Sequence, residues 1–161
     1  MIAWRIAKPA YARADRALSG AGAQETGGRW NEPGLPVVYG SQTSSLALLE
    51  TLVHVSLERL PDDLMAIPIA IPSDATISHV ALKDLHADWQ DVRSKRCAQF
   101  GSNWLRAKSS LVLVVPSATN PLENNILLNP AHHDIKRCKI GATAHIRFDP
   151  RFNTLVQLKR P

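Results

Sequence analysis

The sequence predicts an α+β fold in a single domain spanning residues 1–161, and three observations carry that reading. Apolar runs of strand length recur along the chain, punctuated by eleven prolines and eight glycines. Two longer segments show helical apolar spacing, one opening near Ser41 and one near Gln90. The two kinds of segment do not alternate in the regular βαβ manner that builds a doubly wound sheet. A chain of 161 residues that is 45% apolar suffices for one packed core.

Ala3 to Ala7 (AWRIA) reads as the first strand, with Trp4 and Ile6 on one face and Arg5 on the other. Arg5 has two readings: a solvent-facing charge, or a cation lining a cleft if that face is covered. Pro9 ends the strand, and residues 10–24, rich in Ala, Arg and Gly, predict a short helical turn and a loop. After a Pro33-Gly34 turn, Pro36 to Gly40 (PVVYG) is strand-like. Ser41, Thr43 and Ser44 are each suited to cap the following helix, which is predicted to run to about Leu57, ahead of Pro61. Its apolar arc takes in Leu46, Leu48, Leu49, Leu52, Val53, Val55 and Leu57.

Leu64 to Ile71 is a strand in which Pro68 points to an edge position or a bulge. Ala75 to Val80 predicts another short strand, and residues 81–89 a turn ending in Trp89. Gln90 to Lys108 is helical in pattern, with Val92, Cys97, Phe100, Trp104 and Leu105 toward the core and Gly101 as an interruption. Ser110 to Val115 (SLVLVV) is the most apolar run and is predicted at the centre of the sheet. Pro121 to Pro130 holds a short apolar run between asparagines, and Lys139 to Ala142 and Ala144 to Phe148 read as late strands. Asp149-Pro150-Arg151 is a turn, and the last ten residues are a tail or a final edge strand.

The net charge of +5 attracts nucleic acid, phosphorylated ligands and acidic proteins alike. The densest basic runs, Arg93-Ser94-Lys95-Arg96 and Lys136-Arg137-Cys138-Lys139, come with no nucleic-acid motif and read as solvated faces. No direct nucleic-acid binding is expected. Cys97 and Cys138 lie far apart, match no zinc spacing, and read as reduced and structural. His132-His133-Asp134 offers metal-type donors, or three polar loop residues; His79 and His86 read as ordinary polar positions. No run is long and apolar enough to span a membrane, and the N-terminus lacks the apolar run of a signal peptide, so a cytoplasmic protein without membrane contact is expected. The chain contains no GxGxxG, P-loop or GxSxG motif.

The stretch Gly27 to His54 stands out. Gly27-Gly28 allows close approach of backbone to a ligand and leads into Arg29-Trp30-Asn31; a strand then ends at Tyr39, and a helix carries Glu50 and His54. At about 100° per residue, Glu50 falls at the edge of the apolar arc, with His54 a turn further on. Glu50 is either a rim carboxylate paired with a nearby arginine or a carboxylate presented to a cleft that binds a phosphate-bearing ligand. Ser117, just past the most apolar strand, is either a turn hydroxyl or a group pointing into that cleft.

GGRWN, VVYGS, LALLETLVH, LVLVVPS and NNILLNPAHHDI, in this order and spacing, resemble the RES domain, a family named for an arginine, a glutamate and a serine. The resemblance extends from AWRI to FDPRF, nearly the whole chain; only the segment from Pro72 to Trp89 matches no strong motif. It implies a mixed sheet core like that of ADP-ribosyltransferases, with flanking helices. It also implies a bacterial toxin that acts on NAD+, paired with an Xre-type antitoxin that covers the active site, and a homodimer or a toxin–antitoxin hetero-oligomer. Hydrolysis or phosphorolysis of NAD+ is the expected activity, with ADP-ribosyl transfer to a protein as the alternative and a non-enzymatic binding module as the third. Carried over by position, the family arginine is Arg29, the tyrosine Tyr39, the glutamate Glu50 and the serine Ser117, with Arg5 as a further arginine.

Those residue types suit the chemistry. An arginine fork beside a glycine-rich turn can hold the diphosphate of NAD+. A tyrosine face can stack on the cationic nicotinamide. A carboxylate near the ribose can stabilise the oxocarbenium character that grows as the glycosidic bond breaks. Glu50 takes that part, and Ser117 either bonds the ribose or holds Glu50. No metal is called for. Trp30 and Asn31 are read as supports of the loop, Asn125 and Asn129 as structural, and His54 is left without a role.

Overall fold

A computed structural model describes residues 1–54, 63–91 and 95–149. Its centre is an eight-stranded sheet. The strands are β1 (Ile2–Ala7), β2 (Val38–Ser41), β3 (Met65–Ala70), β4 (Ile77–His79), β5 (Val112–Pro116), β6 (Asn124–Leu128), β7 (Lys139–Ile140) and β8 (Ala144–His145). They lie in the order β4-β5-β6-β2-β1-β3-β7, with β8 beside β7 against β3. Every pairing is antiparallel except β4 with β5. The helices are α1 (Ala14–Ala17), α2 (Ala21–Thr26), α3 (Ser44–Leu52) and α4 (Arg96–Ala107). Residues 10–24 are thus more helical than expected. No helix among the described residues is long and apolar enough to cross a membrane.

Strand alternation divides the core in two. On one face Ala3, Val38, Ile67, Ile69, Val112, Ile126 and Leu128 pack together. On the other, Leu113, Val115 and Leu127 meet Trp30, Trp89, Cys97, Trp104 and Leu105. Cys97, Gly101, Trp104 and Leu105 recur at the spacing of one helical stripe, which is how α4 covers this second face.

The sheet has a seam. β1 pairs with β3 along its whole length, from Ile2 opposite Ala70 to Ala7 opposite Met65. With β2 it shares one registered pair, Trp4 opposite Ser41. The sheet is therefore two smaller sheets that meet at that pair.

The sequence places Ser110 to Val115 at the centre, but β5 lies one strand from an edge and the middle of the order belongs to β2. An apolar run reports burial on both faces, and β5 has that without being central because the two clusters enclose it. Pro68 is not at an edge. Its N–H-less side faces the break between β7 and β8, where only the Pro68 carbonyl is used, accepting from the Gly141 amide at 2.9 Å.

Of the three candidate caps of α3, Thr43 is used, its hydroxyl accepting from the Leu46 amide at 3.1 Å. The helix ends at Leu52; the predicted continuation through Val55 and Leu57 lies outside the described residues. Leu46 is buried, but Leu49 and Val53 are exposed, so the apolar arc is only partly a core face. Residues 150–161, including the predicted turn at Pro150 and the tail, also lie outside the described residues.

α4 starts at Arg96 rather than Gln90, because Trp89 and Gln90 belong to a turn; Val92 lies outside the described residues. Phe100 is half exposed and touches the core only edge-on, with its ring centroid 6.4 Å from that of Trp30. Gly101 does not interrupt the helix. Its bare backbone face lets α4 sit against the Trp30 main chain, and an added Cβ would run into the Trp30 carbonyl. Gly101→Ala should therefore destabilise the protein by about 1–3 kcal/mol despite the better helix propensity of alanine. Thermal unfolding checks this, and an unchanged or raised midpoint would contradict the packing account.

Candidate active site

The five residues singled out in the sequence, Arg5, Arg29, Tyr39, Glu50 and Ser117, gather around β2 and the seam. Glu50 and Ser117 meet directly: the Ser117 hydroxyl donates to Glu50 Oε1 at 2.7 Å. Asn125 Nδ2 donates to the same oxygen at 2.6 Å, and the Thr119 hydroxyl to Oε2 at 2.9 Å. The partners of Glu50 are thus neutral donors, and it is not a rim carboxylate bonded to an arginine.

Ser117 is fully buried and accepts from the amides of Thr119 and Asn120 at 3.1 and 2.9 Å. The loop is tied to α3 a second time through Glu123, which accepts from the Thr43 hydroxyl and from Asn120 Nδ2, both at 2.9 Å. α3 is thereby held to this loop at its cap and at Glu50.

The other wall is the turn that carries Arg29. Gly28 and Asn31 form a small bridge that closes it. Tyr39 pins the turn from β2, its hydroxyl accepting from the Trp30 amide and donating to Asn31 Oδ1, each at 2.9 Å. A side chain on Gly28 would meet that hydroxyl, so the close approach requires glycine. Asn31 is buried, and its Nδ2 donates to the carbonyls of Ala23, Glu32 and Leu35 at 2.7, 3.2 and 2.9 Å. From α4, the Ser102 hydroxyl accepts from the Glu32 amide at 2.9 Å and Arg106 bridges to the Glu32 carboxylate at 2.8 Å. Trp30 and Asn31 support the loop, as expected.

Arg29 itself is aimed by Trp89, whose carbonyl accepts from Nη1 at 2.6 Å. The same turn, residues 86–91, reaches the Glu50 side through Gln90, which donates to the Ala118 carbonyl at 3.2 Å. Trp89, the last residue of the segment that matched no motif, and Gln90 just beyond it thus tie the two walls together.

Arg5 sits in the seam. By register it stands opposite Ile67, on the sheet face away from the Tyr39 ring, and its Nη1 donates to the Tyr39 carbonyl at 3.2 Å. Burial pushes its basicity down. Among the described residues, its Nε is the buried side-chain polar atom left without a partner.

His54 is exposed. His132, His133 and Asp134 are the described residues that come close enough to share an ion. His132 Nδ1 already accepts from the Asp134 amide at 3.2 Å, and Asp134 accepts from Arg137 at 3.1 Å. Arg137 also grips Asp74 at 2.6 and 2.8 Å, so the cluster has a bracing role in the loop before β7.

Asn125, Thr119, Ser41 and Trp89 are the contacts that sequence reasoning did not assign to the site. Ser41 was read as a possible cap, but its hydroxyl donates to Asn125 Oδ1 at 2.7 Å. The available signal was the polar side chain at Ser41 and at Asn125, each at a strand position that alternates with buried apolar residues. Only the register, which puts the two opposite each other, turns that into a pair.

Burial pushes the Tyr39 phenol well above its ordinary range, an effect the Trp30 amide and the nearby Arg29 charge only partly offset. The folded chain then holds this proton more tightly than the unfolded chain, whose tyrosine titrates near 10.0. The associated stability is fully present below that pH and is lost as pH rises beyond it. Wild type should lose stability relative to Tyr39→Phe above about pH 10. Denaturant unfolding of both proteins from neutral to alkaline pH measures this, and a constant difference would show that Tyr39 is not the group.

The family model described as RES domain matches residues 2–150. A Prs ADP-ribosylating toxin from Sphingobium sp. (strain YBL2) is 40% identical over 151 residues, covering 92% of this chain and 94% of that protein. A Toxin Res from Photorhabdus laumondii subsp. laumondii is 39% identical over 138 residues, covering 85% and 86%. A Toxin Res from Yersinia enterocolitica is 35% identical over 153 residues, covering 94% and 99%. Among solved structures, the M. tuberculosis MbcT–MbcA toxin–antitoxin complex contains a chain that superposes with a TM-score of 0.71, covering 98% of this chain and 89% of that one. At 16% identity that likeness speaks for the fold.

Proposed function

The chain belongs to the RES domain family, and on that premise we propose that it is the toxin of a toxin–antitoxin pair that cleaves the nicotinamide–ribose bond of NAD+ and drains the cell of it. The observation that carries this reading is Glu50, a carboxylate held by three neutral donors. A carboxylate bonded to arginine has its charge already compensated. This one is left to compensate a positive charge that forms during reaction.

The reaction needs little else from the protein. The bond between ribose C1′ and the nicotinamide nitrogen breaks with its electron pair going to nicotinamide, which departs neutral. Glu50 stabilises the oxocarbenium character left on the ribose, and water, giving up a proton to solvent, or a phosphate oxygen then adds to C1′. Arg29, beside its glycine-rich turn, is suited to the diphosphate, and Arg5, whose Nε has no partner, would reach it through the seam between β1 and β2. Tyr39, its hydroxyl engaged with its own loop, would offer its ring to stack on nicotinamide. Ser117 acts through Glu50. Nothing in this chemistry calls on a metal. An Xre-type antitoxin covering the Arg29/Glu50 cleft would silence the enzyme, in a hetero-oligomer or over a homodimer.

One observation favours a second reading. The Sphingobium relative is named an ADP-ribosylating toxin. The same cleavage with a protein side chain as nucleophile would make this chain a mono-ADP-ribosyltransferase. Product analysis with purified protein, NAD+, and either phosphate or lysate separates the outcomes. ADP-ribose or its 1-phosphate supports glycosidic cleavage, and labelled protein bands support transfer. Glu50→Ala should lower kcat by about 10²–10³-fold in either case. A folded Glu50→Ala protein that still arrests growth at full strength would instead point to a binding module.

A further inference from the structure

We propose that Glu50 works through a single oxygen, Oε2, and that Asn125 is the positioning residue that makes it so, with Ser41 aiming Asn125. The inference rests on the reading of Glu50 as the carboxylate that answers charge on the ribose.

Each oxygen of a carboxylate has two lone-pair directions. On Oε1 both are taken, by Asn125 Nδ2 at 2.6 Å and by the Ser117 hydroxyl at 2.7 Å. On Oε2 one is taken, by Thr119 at 2.9 Å. One lone pair of the carboxylate therefore stays open, and it lies on the oxygen beside Thr119.

The donors on Oε1 cannot turn away. The Asn125 amide is held in place at its other end, where Oδ1 accepts from Ser41 at 2.7 Å. Its sense is set by Glu50, because a flipped amide would put oxygen against the carboxylate, whereas the Ser41 hydroxyl can donate or accept. Ser117 is locked in the same sense. Its oxygen accepts from two backbone amides, so its one proton goes to Glu50. Ser41 and Asn125 face each other across β2 and β6, and Asn125 faces Val115 across β6 and β5. The aim of a long, three-torsion side chain on α3 is thus set by the register of three strands. Preorganisation of this kind is worth most to a group whose lone pair must meet a transient charge.

The test is steady-state kinetics on NAD+ with wild type, Asn125→Ala, Asn125→Asp, Ser41→Ala, Thr119→Val and Thr119→Ser, alongside thermal unfolding. Asn125→Asp keeps the size of the side chain but replaces the N–H donors with a second carboxylate. It should lower kcat about 10- to 100-fold, at least as far as Asn125→Ala, with KM little changed. A residue that merely fills space would give the opposite order, with Ala worse than Asp. Ser41→Ala, which does not touch Glu50, should still lower kcat several-fold. Thr119→Val should lower kcat and Thr119→Ser should restore it, which keeps the test decisive even if an Asn125 variant fails to fold. Asn125→Asp with near-wild-type kcat, or losses confined to KM, would overturn the inference. Wild type without turnover on NAD+ would instead overturn the functional reading beneath it.

Discussion

Strand β2 is four residues long, and nearly everything in the site is answerable to it. On one side it is fully paired with β6; on the other it meets β1 at Trp4 and Ser41 alone. A backbone carbonyl buried beside such a seam must still find a donor. At Tyr39 the donor is the Arg5 guanidinium, which stands where a neighbouring strand would have stood. The seam is thus held open by a cation. Alternation along the same strand sends the Tyr39 and Ser41 side chains to one face, where the first grips the Arg29 turn and the second aims Asn125 at Glu50.

The two walls are built by different physics. The Arg29 turn is secured by burial: Trp30 and Asn31 are almost wholly covered, and the Asn31 amide ties together the carbonyls of Ala23, Glu32 and Leu35. α4 closes over it by way of Gly101, Ser102 and Arg106. The Glu50 wall is secured by a polar network in which Ser117 and Asn125 each have further partners behind them. Such a network is rigid only when every member is satisfied, so it is sensitive to single changes in a way that an apolar wall is not.

Much of this was legible in the sequence, for identifiable reasons. Strand and helix positions follow from apolar period, and the Arg29, Tyr39, Glu50 and Ser117 positions from motifs whose order and spacing are specific. What was not legible depends on register or on main-chain atoms. Asn125 and Ser41 look like ordinary polar residues until the strands are aligned. Trp89 contributes a carbonyl, which every residue has, so its side chain said nothing about its part in aiming Arg29. Gly101 was read by its helix propensity, whereas its position is decided by what touches it. The centre of the sheet was assigned by hydrophobicity, which measures enclosure and is blind to strand order.

The turn at residues 86–91 gives the cleft a mechanical character. One of its residues holds Arg29 by a carbonyl, and the next holds the loop behind Glu50 by an amide side chain. A strut fixed to both banks of a channel transmits the movement of either to the other. The Arg29 turn and the Glu50 network are therefore expected to shift together, as one cooperative unit, rather than separately.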